Sequence, residues 1–237
     1  LSGCLYLIPV PLGDIAPTAV LPAAVLERAA LLDCYVVEKA KSARAFLKAA
    51  GVRRPLAEIE IHEIGADTTA AEIEVLMSPL LAGRDVGVLS EAGCPGIADP
   101  GAALVLAAHR NGIRVQPMVG PSSVLLGLMA AGLNGQSFAF CGYLPIAAAE
   151  RKRRIQELEE HSRRTRQTQI FIETPFRNAA LFAALLEDCR ATTLLSVACE
   201  LTLPGEAIAT RPVGEWRKSA APELARRPAI FLLLGQA

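Results

Sequence analysis

The sequence predicts an α/β protein of two α/β domains, and three observations carry that expectation. Strand-like and helix-like segments alternate along nearly all of the 237 residues. Loops rich in Gly, Pro and Ser fall where strands give way to helices. The 52% of hydrophobic residues supply a core that a disordered chain lacks. A βαβα rhythm of this kind implies a parallel sheet covered by helices on both faces.

Residues 4–10 read as the first strand, followed by the Pro11-Leu-Gly-Asp14 turn and an Ala/Leu-rich helix over 18–32. Residues 34–37 form a short second strand and 42–50 a second helix, with Gly51 just past its end. A strand at 59–64 and a helix at 69–81 come next, then a strand at 85–89, a helix at 100–110 and a strand at 114–118. Val119-Gly-Pro121 has the composition of a hinge, which divides the chain into domains 1–119 and 120–237. Beyond it, 122–133, 149–166 and 176–189 read as helices. Residues 137–141, 169–173, 194–199, 208–211 and 229–234 read as strands. Strands that follow one another with fewer crossovers imply a mixed second sheet.

The composition excludes several roles. Lys and Arg number 24, as do Asp and Glu, so no overall field recruits nucleic acid or an acidic membrane. RNA is therefore a partner that the net charge does not support, and it would need a local basic patch. No apolar run reaches the roughly 18 residues that span a bilayer. The six cysteines are scattered without a Cys-x-x-Cys, which suits reduced, buried thiols in a cytoplasmic protein and no bound metal. Opening on Leu1 leaves any upstream segment outside what can be read. His62, His109 and His161 are isolated and receive no catalytic role, and Trp216 reads as core or interface.

The most informative stretch runs from Asp85 to Gly101. After its strand, Ser90-Glu-Ala-Gly-Cys-Pro-Gly-Ile-Ala-Asp99 forms a loop longer than the roughly two to six residues of an ordinary strand-to-helix turn. Asp99 stands as the expected N-cap and Pro100 as the first helical residue. Gly-rich loops at the carboxyl ends of parallel strands are where open α/β sheets bind ligands. Gly93 is expected to line the ligand, so that valine there removes binding at little cost to the fold.

Three other corners repeat the pattern. Ile8-Pro-Val-Pro-Leu-Gly-Asp14 is stiffened by its prolines and serves equally as a ligand wall or as a rigid connector. Val119-Gly-Pro-Ser-Ser123 offers backbone amides and two hydroxyls, of which simple capping explains one. In Glu173-Thr-Pro-Phe-Arg177, the carboxylate and guanidinium either face one cleft or pair with each other. Glu200 is a further carboxylate at the end of a strand. Residues 150–166 hold seven basic and four acidic residues; this is a solvated helix face in one reading and a polynucleotide contact in the other. The dinucleotide Gly-x-Gly-x-x-Gly and the phosphate-loop Gly-x-x-x-x-Gly-Lys-Ser/Thr fingerprints are both missing, which argues against a nucleotide phosphate.

Taken in order, the corners 5–13, 90–101, 119–123, 140–145, 173–177 and 200–202 resemble the tetrapyrrole methylase superfamily. The resemblance is strongest to its branch of small-subunit ribosomal RNA cytidine 2′-O-methyltransferases. It implies two α/β domains with S-adenosylmethionine in the cleft between them, and a homodimer. By position it implies cofactor contacts from Leu12, Ser90, Glu91, Ala92, Gly93, Ser122 and Ser123, completed by Ile172, Ala198 and Pro228. Glu38, Glu173 and Glu200 are candidate bases, with Arg177 positioning substrate. The sequence departs from that branch at Val37-Glu-Lys-Ala-Lys41, at Glu200-Leu-Thr-Leu203 and at Glu91, which places this chain in a paralogous group. The expected activity is methyl transfer to oxygen, with a ribose 2′-hydroxyl of RNA as acceptor. The alternatives are a small metabolite such as a tetrapyrrole as acceptor, and a catalytically silent sensor of the cofactor.

Overall fold

The computed structural model describes residues 2–236 and divides into two compact units, Leu1–Ser122 and Ser123–Ala237. In the first unit, β1 (Cys4–Leu7), α1 (Ala23–Leu31), β2 (Cys34–Val37), α2 (Ala40–Ala49), β3 (Glu60–Glu63), α3 (Ala70–Leu81), β4 (Val86–Leu89), α4 (Gly101–Arg110) and β5 (Arg114–Pro117) alternate. The sheet runs β3-β2-β4-β1-β5 with every pairing parallel. Because β2 and β4 are buried along their whole length, they read as continuous apolar runs rather than alternating ones.

The two faces of this sheet carry different helices. Val25 and Ala29 of α1 and Phe46 and Leu47 of α2 pack on the face that shows Tyr6, Tyr35 and Val37. Leu76, Met77 and Leu80 of α3 and Leu104 and Ala108 of α4 pack on the face that shows Leu5, Val36 and Val88. The chain thus leaves β1 toward one face and β4 toward the other, although β1 and β4 are neighbours. That adjacency is a topological switch point, and the crevice beyond it is where open α/β sheets accept ligands.

Local chemistry moves several expected boundaries. The first strand ends at Leu7, because Pro9 and Pro11 lack the amides a ladder needs; Val10 instead forms an isolated antiparallel bridge with Gly93. The helix expected over 18–32 is split, with a 3₁₀ turn at Pro17–Ala19 and α1 starting only after Pro22. Thr69 closes a reciprocal capping box with Glu72 at the start of α3. Asp99 caps α4 as expected: Pro100 already has helical dihedrals (φ −71°, ψ −10°), and one oxygen of Asp99 accepts the amide of Gly101, and that of Gly96 as well, each at 2.8 Å.

The second unit comprises α5 (Ser123–Ala131), β6 (Phe138–Tyr143), α6 (Ala148–Thr165), β7 (Thr168–Ile172), α7 (Asn178–Asp188), β8 (Leu194–Cys199), β9 (Ala207–Pro212), α8 (Val213–Trp216) and β10 (Ala229–Leu234). Its sheet is mixed, in the order β6-β7-β10-β8-β9; β6 and β7 are parallel and the other pairs antiparallel. Phe171, Leu195, Val197 and Phe231 meet α6 and α7 on one face. Trp216 belongs to this core: Phe182 meets its ring edge-on, and its indole N–H donates to the Leu195 carbonyl at 2.8 Å. On the other face, α5 comes so close that a Cβ on Gly127 would lie 2.9 Å from Ile230. The helix expected from Phe176 starts at Asn178, which leaves Phe176 exposed.

Candidate active site

Strand order brings three sequence-distant corners of the first unit together. β1 lies between β4 and β5, so the segments that follow these strands are neighbours. Val10 and Gly93 exchange backbone hydrogen bonds of 2.9 and 3.2 Å. Ser90 Oγ donates to the Gly93 carbonyl at 3.1 Å, and the Cys94 thiol lies 3.4 Å from the Pro121 carbonyl oxygen. A Cβ on Gly120 would collide with the Pro9 ring, so glycine there lets the β5 corner close on the β1 corner. Gly93 has φ +74°, and a Cβ on it would lie 3.1 Å from Leu12 and 3.4 Å from the Pro121 carbonyl oxygen. This corrects the expectation that a side chain at 93 leaves the fold intact: the glycine lets the corners pack against one another. Leu12 and Ser90 are half-buried, Glu91 and Ala92 are exposed, and Ser122 and Ser123 are half-buried at the start of α5.

Beside this wall the carboxylates differ sharply. Glu38 follows β2 and accepts the Glu91 amide at 2.9 Å. Burial raises its pKa, and the charges of Asp99 and Glu91 add to that, against the bond from the Glu91 amide. At Glu91 partial loss of solvent works upward, but the ammonium of Lys39 at 2.6 Å and the Ser42 hydroxyl outweigh that and lower it. Burial also raises Asp99, against its two amide bonds.

A cavity of about 230 Å³ opens next to these groups. Pro11, Asp14 and Ile15 form one wall, Ser42, Ala45 and Phe46 of α2 another, and Ser90 and Glu91 the end. Sequence reading missed the part contributed by α2, since 42–50 reads as an ordinary amphipathic helix. The strand order that sets it beside the 90–93 loop is not written in any local pattern.

In the second unit, strand register aligns the expected residues. Ile172 pairs with Ile230, and Ile230 with Ala198, so Ile172 and Ala198 flank Ile230 in one row across three strands. Ala198 is almost fully buried and Ile172 half-buried, while Pro228 is exposed and its carbonyl accepts the Glu200 amide at 2.9 Å. Of the two readings of Glu173 and Arg177, the pair is what forms: the carboxylate is buried and lies 2.6 Å from the guanidinium. Glu200, at φ +51°, lies 2.6 Å from Arg227, which also donates to the Gly205 carbonyl at 2.7 Å. The hydrogen bond from Arg227 lowers the Glu200 pKa. Both carboxylates are thus held by cations within their own unit, whereas Glu38 is raised.

The basic helix α6 is largely neutralised. Lys152 reaches Asp188, Arg153 and Arg154 reach Glu157, and Arg163 and Arg164 reach Glu160. Register also sets Cys34 opposite Glu60, so that ligating atoms of Cys34, Glu60 and His62 lie within 4.8 Å of one another. Glu60 is already bound to Arg84 at 2.7 Å, and Arg84 also meets Asp33. Burial pushes the Cys34 thiol up to about 11. Among the described residues no helix is long and apolar enough to cross a membrane.

Comparison with known proteins gives consistent relatives. The family model described as Tetrapyrrole (Corrin/Porphyrin) Methylases matches residues 4–216. The chain is similar to Ribosomal RNA small subunit methyltransferase I of Mesorhizobium japonicum, with 32% identity over 89% of this chain and 67% of the relative. It is similar to the protein of that name from Xylella fastidiosa, at 31% over 99% and 81%, and from Pseudomonas aeruginosa, at 33% over 90% and 72%. Among solved structures, the methyltransferase CobJ superposes with a TM-score of 0.63 at 19% identity, covering 100% of this chain and 95% of that one. The cobalt precorrin-4 methyltransferase CbiF gives 0.61 at 16%, covering 98% and 94%; at these identities the two show a shared fold.

Proposed function

The chain belongs to the tetrapyrrole (corrin/porphyrin) methylase family, and from that premise we propose that this S-adenosylmethionine-dependent methyltransferase modifies a ribose 2′-hydroxyl of small-subunit ribosomal RNA. The ribosomal acceptor is supported by relatives of that name at about 30% identity over most of the chain. The oxygen acceptor rests on one observation, the raised carboxylate of Glu38 beside the 90–93 loop.

The residues suit a sulfonium cofactor. Gly93 and Gly120 let the three corners close into one wall, neither phosphate fingerprint is present, and Glu38 sets a carboxylate beside that wall. We assign the contacts to Leu12, Ser90 to Gly93, Ser122, Ser123, Ile172, Ala198 and Pro228. When bound, S-adenosylmethionine supplies an electrophilic methyl group. The protein's task is then to align the acceptor hydroxyl and to take its proton. Glu38 is the base in this reading, since its raised carboxylate is a better proton acceptor than that of Glu200, which the hydrogen bond from Arg227 lowers. Glu173 and Glu200, each bound to arginine, serve to hold the corners that carry Ile172, Ala198 and Pro228.

A ribosomal acceptor places the reaction in the cytoplasm. A homodimer belongs to the same reading, supported by Leu125 and Met129, exposed one turn apart on α5; sedimentation equilibrium checks it. The acceptor is tested with labelled methyl donor offered to small-subunit RNA, assembled small subunits and a small-molecule extract. Label should enter the RNA and survive alkaline hydrolysis as a dinucleotide, because a methylated 2′-oxygen cannot attack its own phosphate. Label confined to the small-molecule fraction would overturn the acceptor while leaving the methyltransferase.

A further inference from the structure

We propose that α2 and the cavity beside it form the RNA-docking site, with one unpaired nucleoside in the cavity and the flanking phosphates on Lys41, Arg44 and Lys48. This rests on the RNA reading above and names its contact surface. From Lys39 to Ala57 the chain holds six basic residues and no acidic one, an asymmetry that the zero net charge conceals. Lys41, Arg44 and Lys48 recur at helical spacing and are all exposed, so they form one stripe along α2. Among the described residues none of the three takes part in an ion pair. That sets them apart from the basic residues of α6, of which Lys152, Arg153, Arg154, Arg163 and Arg164 each face a carboxylate.

The helical period places Ser42, Ala45 and Ala49 in the adjacent stripe, and these three line the cavity. The basic stripe is therefore the cavity's rim. Its volume of about 230 Å³ falls below the roughly 300–1,000 Å³ of pockets for drug-sized ligands, which suits a single base better than a macrocycle. The lining suits a base too: Ile15 and Phe46 offer apolar surface, and Asp14 is an acceptor for an exocyclic amino group. Glu91, the other lining carboxylate, is neutralised by Lys39 at 2.6 Å, so it does not repel the strand. The Glu91 amide also holds Glu38, which ties the proposed base to the end of the cavity. Unpaired nucleotides are what RNA-specific sites usually take, because their base edges are accessible.

The test compares two triple variants of the full chain by fluorescence anisotropy on a labelled single-stranded RNA across a salt series. Cofactor calorimetry, melting and methyl transfer to small-subunit RNA are measured alongside. Lys41→Gln with Arg44→Gln and Lys48→Gln should weaken RNA binding by about tenfold or more at low salt. It should also flatten the slope of log affinity against log salt by about 2, since each lost phosphate contact on a single strand removes about 0.7. Lys152→Gln with Arg153→Gln and Arg154→Gln should change neither, and cofactor affinity should hold in both. Ala45→Trp, which fills the cavity and keeps every charge, should lower methyl transfer while the salt slope persists. If the α2 variant binds RNA like the wild type, the site is wrong and the RNA reading stands. If the wild type binds no RNA at low salt while still binding cofactor, both fall and the methyltransferase remains.

Discussion

Gly93 and Gly51 make a matched pair of perturbations, because both have positive φ and only one has neighbours. Gly51, just past α2, has φ +81° and nothing within 4 Å of where a Cβ would stand. Gly93 has φ +74°, Leu12 at 3.1 Å and the Pro121 carbonyl at 3.4 Å. Holding an L-residue in the left-handed region costs roughly 1–2 kcal/mol. Replacing glycine by alanine returns about 0.4–1 kcal/mol by restricting the unfolded chain. Gly51→Ala should therefore lose about 1 kcal/mol. Gly93→Ala should lose about 2 kcal/mol, since relief of its contacts disturbs the paired hydrogen bonds to Val10, each worth about 0.5–1.5 kcal/mol. Thermal melting should separate the two by on the order of 4 °C for a unit of this size. Cofactor affinity, measured by calorimetry, should fall about tenfold in Gly93→Ala, equivalent to about 1.4 kcal/mol, and stay unchanged in Gly51→Ala. Equal melting temperatures with equal affinities would refute the role given to the 90–93 wall.

Two other perturbations address charge. Glu38→Gln should abolish methyl transfer while cofactor still binds, and the acid limb of the wild-type rate should lie above the ordinary carboxylate range, since burial raises Glu38. A raised acid favours the folded state below its unfolded pKa and loses that contribution as pH rises through the folded value, so Glu38→Gln should be as stable as wild type or more stable at neutral pH; a destabilised variant would contradict this. Arg227→Gln should return the Glu200 carboxyl toward the ordinary range, read by carbon NMR titration, because the hydrogen bond from Arg227 is the main cause of its lowering. With Arg227 present, Glu200 contributes stability above its unfolded pKa that is lost as pH falls through the lowered one, and the variant should lack that acid-side loss; an unmoved titration would show that another group holds Glu200.

The central strands of the first sheet are legible because burial on both faces writes them as short apolar runs, as at Cys34–Val37 and Val86–Leu89. Prolines override the apolar pattern: Pro22 splits the first helix and Pro9 ends the first strand, although the flanking residues stay apolar. Strand order could not be read, and order is what seats the 8–13, 90–96 and 119–121 corners against one another. Nor could the carboxylates be ranked from sequence. Glu200 is set by Arg227, far along the chain, and Glu38 by burial and the charges of Asp99 and Glu91. The Glu173–Arg177 alternatives were both visible, and only geometry chose the pair.

The most direct test of the central claim is isothermal titration calorimetry of the full chain with S-adenosylmethionine and S-adenosylhomocysteine, set against NAD and ATP. One equivalent of either sulfur ligand should bind per chain, with no heat from the two phosphate ligands, whose fingerprints the sequence lacks. Saturable binding of NAD or ATP, or no heat from either sulfur ligand at protein concentrations well above micromolar, would contradict that claim.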